Sequence, residues 1–535
     1  MKLEKVLIAG EWRESKNPDG QFHAVNPAKK TELPESYPVS GEEDVRQLLE
    51  AGKKAADELR KIVPDRKADF LERYADKIEA LTDELVEIAS LETALAREPR
   101  LRNIELPRTT NQLRKAAAAA RERSWCRATI DTETNIRSQY GSMGGPVVIF
   151  GPNNFPYAYN AVSGGDFAGA IATGNPVIAK AHPAHPGTTR VLARAALEAV
   201  IKTGLPVATV QMIYHVRPEL GFELVSHPVI GASAFTGSRS AGLKLKEAAD
   251  HAGKPVYLEM SSVNPVFILP GAIKARCEAI AAELFSSCTL AAGQFCTNPG
   301  LIFLIKGQNT ESFTQAVSEQ FANGKPGTLL TSGGPDNIST ALNSLTSAGA
   351  QIIVGGQKVE TEGYSFANTL LRVEGQTFLK NPEALQTEAF GTVSLLVIAE
   401  DVPQMRQMAM VLKGNLTASI YSDLQGSDDG SYQMIEPELR IKVGRLLNDK
   451  MPTGVAVVPS MNHGGPYPAT GHPGFTAVGF PGSMIRFAAL HCYDHVRPHR
   501  LPAELQDQNP TGAMWRMIDG EWTRRNIQSA GFSDV

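Results

Sequence analysis

The spacing of apolar residues divides the chain into a helical first part and two later stretches in which strands and helices alternate. Between residues 42 and 94, apolar residues recur at intervals of three and four, which predicts two long amphipathic helices, and a third helix is expected from Arg108 to the alanines before Arg121. Short apolar runs follow, and they predict strands at 146–150, 176–180, 209–213, 229–235 and 255–259. Helical stretches separate these runs, so we expect a doubly wound parallel sheet that binds its ligands where strands end.

A second α/β stretch begins near Asn264. It predicts a helix from Lys274 to Leu290 and strands at 301–305, 351–354, 393–399 and 455–458. Periodicity is weak between residues 416 and 470, where Gly, Pro and His are frequent. Two similar segments, Ile8 to Trp12 and Ile518 to Trp522, predict two hairpin turns of one kind.

Composition narrows the classes of function. The 535 residues contain 53 Lys+Arg against 57 Asp+Glu, so the net charge of -4 argues against a nucleic-acid binder. No apolar run reaches the ~20 residues of a membrane span, and the N-terminal segment lacks the features of a signal peptide. Five cysteines without a C-x-x-C pair are typical of a reducing compartment. We therefore expect a soluble cytoplasmic protein that binds neither nucleic acid nor membrane.

Candidate chemistry lies where the predicted strands end. Gly237 and Ser238 open a helix after a strand, as in a phosphate-binding turn, although an ordinary helix cap has the same sequence. Cys296 lies in a loop of small residues, Glu259 ends a strand and Asn154 follows one. Each residue also has a purely structural interpretation: Cys296 as a buried thiol, Glu259 as a structural carboxylate and Asn154 as a helix cap. Together they form a nucleophile, a base and an amide donor for acyl transfer.

Six motifs in register carry a family resemblance over residues 5 to 500: Phe150-Gly-Pro-Asn-Asn-Phe-Pro156, Gly174-Asn-Pro-Val-Ile-Ala-Lys180, Phe235-Thr-Gly-Ser238, Leu258-Glu259, Gly293-Gln-Phe-Cys296 and Glu388-Ala-Phe-Gly391. They resemble the aldehyde dehydrogenase superfamily. Three further segments, which begin at Lys180, Asn264 and His463, resemble its α-ketoglutaric semialdehyde (2,5-dioxopentanoate) dehydrogenase branch. The resemblance implies an α/β fold with a Rossmann-type cofactor domain, an α/β catalytic domain and small oligomerisation elements.

The resemblance also implies roles for the catalytic residues. Cys296 would attack the aldehyde carbonyl, and Asn154 with the backbone N–H of Cys296 would hold the oxyanion. Glu259 would activate water to hydrolyse the thioester, and its presence argues against a CoA-acylating relative. The expected product is a carboxylic acid.

NADP or NAD is the cofactor that the resemblance implies. The cofactor-binding residues expected from it are Lys180, Ser238, Gly237, Glu388, Phe390, Pro152 and Ile149. Pro183 stands where NAD-specific relatives commonly have a Glu, so a 2′-phosphate is admitted. Met260-Ser261 and Thr392 depart from the family pattern and put the cofactor geometry in question. No metal is required, because the proline between His182 and His185 breaks a helical ligand pair.

The sequence leaves two classes of substrate open. Arg108 would pair with the carboxylate of a semialdehyde, or it is a solvated residue on a helix face. Phe155, Phe295 and Phe487 would instead line an apolar tunnel for medium-chain or aromatic aldehydes. A non-catalytic protein of this fold would not need Cys296, Glu259 and Asn154 together.

The resemblance implies a homodimer or homotetramer, assembled through a hairpin at 130–145 and a strand near Met484 to Tyr493. The expected NAD(P)-binding domain covers residues 1–129 and 146–260, and the expected catalytic domain covers 261–460. Residues 130–145 and 461–535 would form the oligomerisation hairpin, C-terminal strand and tail.

Overall fold

The structure is a computed structural model, and it describes residues 3–527. Its strands are β1 (Val6–Ile8), β2 (Glu11–Arg13), β3 (Gly20–Asn26), β4 (Thr31–Val39), β5 (Thr129–Asp131), β6 (Ile136–Ser142), β7 (Val147–Phe150), β8 (Val177–Lys180), β9 (Val210–Ile213), β10 (Ala232–Thr236), β11 (Val256–Glu259), β12 (Val266–Ile268), β13 (Leu301–Ile305), β14 (Gln351–Val354), β15 (Thr369–Glu374), β16 (Val393–Ala399), β17 (Asn415–Tyr421), β18 (Val443–Asn448), β19 (Ala488–Asp494), β20 (Arg516–Ile518) and β21 (Glu521–Thr523).

Its α-helices are α1 (Glu42–Leu59), α2 (Pro64–Ala80), α3 (Thr82–Thr93), α4 (Leu106–Glu122), α5 (Gly165–Ala172), α6 (Pro186–Thr203), α7 (Pro218–Ser226), α8 (Arg239–His251), α9 (Pro270–Thr289), α10 (Gln308–Asn323), α11 (Gly334–Ser347), α12 (Gly375–Lys380), α13 (Val402–Met410) and α14 (Asp429–Arg440). A π-helical segment, Arg97–Glu105, precedes α4. Within residues 3–527, every helix is too short or too polar to cross a bilayer.

The first sheet has the strand order β11-β10-β7-β8-β9-β1-β2. Strands β7 to β11 pair in parallel, and β1 adds to β9 in the antiparallel direction. All four residues of β7 are buried because helices cover both faces of the sheet. The expected α/β architecture and the five predicted strands of this region are confirmed. The predicted pair of helices between 42 and 94 is wrong, since α1, α2 and α3 occupy this segment, with Pro64 opening α2.

The second sheet has the order β14-β15-β16-β13-β12-β17-β18. The predicted strands at 301–305, 351–354 and 393–399 coincide with β13, β14 and β16, whereas residues 455–458 are irregular and that prediction is wrong. Three strands, β15, β17 and β18, were not predicted. All of β17 is buried, yet two of its polar side chains bond to a distant segment, since Asn415 accepts from Val263 N at 2.9 Å and Thr417 donates to Asn264 Oδ1 at 3.0 Å. Polar residues that are satisfied in this way hide a buried strand from a hydrophobicity pattern.

A third sheet joins the middle and the end of the chain, with the order β19-β6-β5-β20-β21. The hairpins β1–β2 and β20–β21 both turn through two residues of positive φ, Ala9-Gly10 and Asp519-Gly520, as the repeated sequence predicts. The predicted strand near Met484 begins later, at Ala488. The division of the chain into three functional domains stays a prediction, and its residues 1–2 and 528–535 lie outside the described part.

Candidate active site

Cys296 lies in a loop that a sharp backbone turn presents after α9. Three consecutive residues, Ala291, Ala292 and Gly293, have φ values of 48°, 55° and 74°. A Cβ on Gly293 would lie 2.2 Å from the backbone carbonyl of Gly391, a distance that no side chain tolerates. Glycine at this position therefore allows the cysteine loop and the loop at 388–392 to pack backbone against backbone.

The thiol of Cys296 meets an imidazole and a carboxylate. Cys296 Sγ lies 3.3 Å from His463 Nε2, which in turn lies 2.9 Å from Glu259 Oε1. Glu259 is the last residue of β11, and it forms an antiparallel bridge with Thr470. This bridge holds the 463–470 segment against the end of the sheet and thereby places the imidazole between the other two groups.

The surroundings of Cys296 oppose its ionisation. Burial raises the pKa of the Cys296 thiol well above its ordinary value, and the negative charge of Glu259 adds to this effect. The Arg108 guanidinium acts in the opposite direction and lowers the pKa of the Cys296 thiol. A group that removes the thiol proton is therefore needed for nucleophilic chemistry.

Asn154 lies beside the cysteine loop and is fixed from two sides. Its side-chain amide donates to Gln294 O at 3.0 Å, and its backbone carbonyl accepts from Arg100 at 3.1 Å. The side-chain nitrogen carries a second N–H, which suits it for an oxyanion formed at Cys296. Pro152, two residues earlier, is held through its carbonyl by His185 Nε2 at 2.9 Å.

Two arginines and three aromatic rings border the cysteine loop. Phe155 makes edge contacts with Phe295 and Tyr159, at centroid distances of 5.3 and 5.1 Å. Arg108 donates to the Tyr159 hydroxyl at 2.8 Å and is half-buried, so it is not the solvated residue that the alternative interpretation expects. Arg100 stacks on the Phe155 ring at 4.6 Å.

Arg100 was not identified from the sequence. It lies in the π-helical segment Arg97–Glu105, where no amphipathic period marks a buried face. Its guanidinium forms an ion pair with Glu105, a fully buried carboxylate that also accepts from Tyr157 N at 2.9 Å and Ala158 N at 3.0 Å. Because Arg100 is neutralised by Glu105, Arg108 is the freer cation of the two.

The three residues expected to form a cradle for a pyrophosphate and a ribose lie along the same edge of the sheet, since Gly237 and Ser238 follow β10, the neighbour of β11, and Lys180 ends β8. Ser238 caps α8 by accepting from Ala241 N at 3.4 Å, so the helix begins directly after Ser238. A Cβ on Gly237 would lie 2.8 Å from the Phe235 ring. Lys180 ends β8, and burial lowers its pKa to about 8. Within residues 3–527 its ammonium makes no hydrogen bond or ion pair with the protein.

The other predicted cofactor residues are dispersed. Glu388 and Phe390 line one small cavity together with Phe295. Burial raises the pKa of Glu388, whose carboxylate accepts from Ser262 N at 3.3 Å. Ile149 lies in the middle of β7 with 2% of its surface exposed and packs in the core. Phe487 is also fully buried in this core, which differs from the tunnel position considered for it.

His463 is the principal residue that sequence reasoning did not assign to the site. It belongs to the segment His463-Gly-Gly-Pro-Tyr-Pro-Ala-Thr470, which was noted only for its resemblance to one branch of the family. The residue lies 167 positions from Cys296, in a range expected to serve oligomerisation, and its side chain is 2% exposed. A lone histidine among glycines and prolines has no period that would indicate burial.

Comparison with known proteins agrees with this geometry. Residues 12–483 match the model of the aldehyde dehydrogenase family. The chain is similar to α-ketoglutaric semialdehyde dehydrogenase 2 of Azospirillum brasilense, with 38% identity over 94% of this chain and 96% of that protein. It is also similar to the α-ketoglutaric semialdehyde dehydrogenase of Acinetobacter baylyi, with 34% identity over 90% and 92%.

Solved structures show the same fold at lower identity. The NAD+ complex of an aldehyde dehydrogenase from Bacillus cereus is 19% identical, with a TM-score of 0.79 over 92% of this chain and 96% of that chain. Lactaldehyde dehydrogenase from Escherichia coli is 20% identical, with a TM-score of 0.78 over 92% and 98%. The family model, the two relatives and the fold agree, and the chain therefore belongs to the aldehyde dehydrogenase family and is an oxidoreductase of aldehydes.

Proposed function

We propose that this protein oxidises a small semialdehyde that carries a carboxylate, of the 2,5-dioxopentanoate type, to the corresponding acid with NADP or NAD. The observation that carries the proposal is the position of the Cys296 thiol, 3.3 Å from His463 and in the electrostatic field of Glu259 and Arg108. The substrate class also draws support from the two relatives named α-ketoglutaric semialdehyde dehydrogenase.

Arg108 is the residue proposed to select the substrate. Its guanidinium is half-buried and hydrogen bonds to the Tyr159 hydroxyl, which leaves donors free for a carboxylate. The Arg108 guanidinium lies 5.9 Å from the Phe155 ring, which contacts Phe295 next to Cys296, so one short substrate would reach both groups. The fork of donors on a guanidinium pairs with a carboxylate through two hydrogen bonds, which orients the aldehyde toward the sulfur.

Cys296 is the proposed nucleophile. Attack of its sulfur on the aldehyde carbon would convert the carbonyl oxygen to an oxyanion, which the second N–H of Asn154 and the backbone N–H of Cys296 would bind. Donors of this kind are each worth about 3–4 kcal/mol in comparable sites. Asn154 keeps its orientation because its other N–H already donates to Gln294 O at 3.0 Å.

The residues present fit a dinucleotide. The unpaired ammonium of Lys180, the Gly237 cradle and the start of α8 offer a cation, close backbone approach and free N–H groups. When bound, the nicotinamide of this cofactor accepts the hydride that the substrate carbon releases. Pro183 brings no carboxylate to the ribose side, and Lys180 brings positive charge, which favours NADP as well as NAD.

Glu259 is the proposed base for hydrolysis of the thioester on Cys296. It lines a cavity that is also lined by Asp166, Arg486 and His463. Asp166 and Arg486 form an ion pair at 2.9 Å, and burial raises the pKa of Asp166. The polar groups that line this cavity suit a water molecule next to the Glu259 carboxylate, which would take a proton as the water attacks the thioester.

The function is tested with a panel of aldehydes, each supplied with NADP and with NAD, while formation of the reduced cofactor is followed at 340 nm. We expect the highest kcat/KM for 2,5-dioxopentanoate, and we expect Cys296→Ala to abolish turnover without a change in the unfolding midpoint. A higher kcat/KM for hexanal or benzaldehyde would instead identify a medium-chain or aromatic aldehyde dehydrogenase. Cofactor binding without turnover of any aldehyde would identify a non-catalytic protein.

We also propose that the protein is a cytoplasmic homodimer or homotetramer that needs no metal. Support for an oligomer comes from β19, which pairs only with β6 among the described strands and so leaves one edge open to a second copy. Light scattering after size-exclusion chromatography measures the molar mass in solution, and the mass of a single chain would refute the proposed oligomer. Undiminished activity after dialysis against EDTA is expected for an enzyme without a metal.

A further inference from the structure

His463 has no role in the reaction proposed above, although it contacts the reacting sulfur. The position of His463 is set by the surrounding backbone, since its backbone N–H donates to Thr476 O at 3.0 Å. Its ring is 5.9 Å from the Tyr159 ring, and the side chain is 2% exposed. A buried imidazole held against both the proposed nucleophile and the proposed base is placed for proton transfer.

A single nitrogen of the imidazole makes both contacts. His463 Nε2 is 3.3 Å from Cys296 Sγ and 2.9 Å from Glu259 Oε1. With the proton on Nδ1, the lone pair of Nε2 is free to accept the thiol proton. In this tautomer no proton lies between Nε2 and Glu259 Oε1, and their lone pairs repel each other at 2.9 Å. Transfer of the thiol proton to Nε2 replaces this repulsion by an N–H that donates to Glu259 Oε1 beside the thiolate. The geometry thus serves both the acceptance of the proton and the stabilisation of the charges that result.

The charges around the sulfur make such a base necessary. Glu259 and Glu388 act against the thiolate, while Arg108 and Arg445 favour it. The guanidinium of Arg445 donates to Gly454 O at 2.9 Å and to Pro452 O at 2.8 Å, and these bonds direct it to the backbone instead of to the sulfur. Tyr159, the remaining titratable neighbour, stays neutral because burial raises its pKa. The imidazole is the one neutral base in contact with the sulfur among the described residues.

We propose that His463 is the general base that activates Cys296. The S–H bond breaks, the proton forms a new bond to Nε2, and the electron pair stays on sulfur as a thiolate beside an imidazolium. Glu259 then accepts a hydrogen bond from the imidazolium N–H. No external reactant is needed, because hydrolysis of the thioester regenerates the thiolate while the imidazolium keeps its proton. This inference rests on the proposed role of Cys296 as nucleophile.

Alkylation of Cys296 tests the inference without any turnover. The full-length protein is treated with iodoacetamide between about pH 6 and pH 9, with and without NADP, and the Cys296 peptide is quantified by mass spectrometry. Cys492, an exposed cysteine in the same sample, is the internal control. In His463→Gln we expect alkylation of Cys296 at neutral pH to slow by about 10²-fold while Cys492 is unaffected. In Glu259→Gln alkylation of Cys296 should slow far less than in His463→Gln, because the amide oxygen of Gln still accepts from the imidazolium and a negative charge beside the sulfur is removed.

Chemical rescue separates a base from a merely structural residue. In His463→Ala, added imidazole should restore alkylation of Cys296, with a dependence on the concentration of neutral imidazole. Unchanged alkylation in His463→Gln, or loss in His463→Ala that imidazole does not restore, would overturn the proposal. Slower alkylation in Glu259→Gln but not in His463→Gln would make Glu259 the base. Turnover in Cys296→Ala would reject the proposed nucleophile, which is a separate result.

Discussion

Replacing Gly293 by alanine tests whether the cysteine loop depends on direct backbone contact with the loop at 388–392. Gly293 has a φ of 74°, and a Cβ there would lie 2.2 Å from Gly391 C and O and 2.4 Å from Thr392 N. All three neighbouring atoms belong to the backbone, so no side-chain rotation relieves the collision. One of the two loops must move, and both carry proposed functional residues.

Two effects contribute to the loss of stability that we expect from Gly293→Ala. A left-handed conformation costs an alanine about 1–2 kcal/mol relative to glycine, and forcing extra volume into a packed site costs about 1–3 kcal/mol. Gly293→Ala should therefore destabilise the native arrangement by about 2–5 kcal/mol. If the loops separate instead of the whole protein unfolding, the same strain moves Cys296 away from Asn154 and lowers kcat/KM by more than tenfold, since each 1.4 kcal/mol is a factor of ten.

Gly253→Ala is the matched control. Gly253 has a similar φ of 64°, but a Cβ there would meet no atom within 4 Å. Gly253→Ala therefore has the cost of a left-handed alanine without any collision. We expect its free energy of unfolding to fall by about 1–2 kcal/mol and its kcat/KM to stay unchanged. Urea unfolding followed by fluorescence measures the stability of both variants, and aldehyde turnover measures the position of the cysteine loop. If the two variants lost the same stability and Gly293→Ala kept full activity, the contact between the two loops would have no functional importance.

Three further predictions concern the proposed substrate and cofactor. Arg108→Lys keeps the charge but loses the fork of donors, so kcat/KM for 2,5-dioxopentanoate should fall about tenfold or more while that for hexanal stays unchanged; an equal loss for both aldehydes would contradict carboxylate recognition. Pro183→Glu should lower kcat/KM with NADP at least about tenfold, because the new carboxylate repels the 2′-phosphate, and should leave kcat/KM with NAD unchanged. An unchanged kcat/KM with NADP would show that the 2′-phosphate does not bind near residue 183. Burial lowers the pKa of Lys180 to about 8, so its ammonium is charged below that pH and neutral above it. The KM for NADP should therefore rise above about pH 8, and a rise of the same size in Lys180→Met would refute this cause.

Much of the fold was predictable because the strands of a parallel sheet are buried on both faces. Runs such as Val147–Phe150 are uniformly apolar and stand out between helical segments. The same rule fails for β17, whose buried residues include Asn415, Thr417 and Ser419. Asn415 accepts from Val263 N and Thr417 donates to Asn264 Oδ1, and no local pattern reports partners so distant in sequence. The irregular segment 455–458 shows the converse error, since Val457 is buried without belonging to a strand.

The sequence by itself determined the strand ends that carry Asn154, Lys180 and Glu259, because a strand followed by a turn is a local feature, and parallel strands bring such ends to one edge of the sheet. It also indicated Cys296 as a candidate nucleophile, through a loop of small residues that follows a long helix and through the resemblance of the surrounding motif. Only the tertiary structure decided that His463, 167 residues away from Cys296, lies between that thiol and Glu259. The bridge between Glu259 and Thr470 places it there, and pairing across such a distance depends on how the whole chain packs.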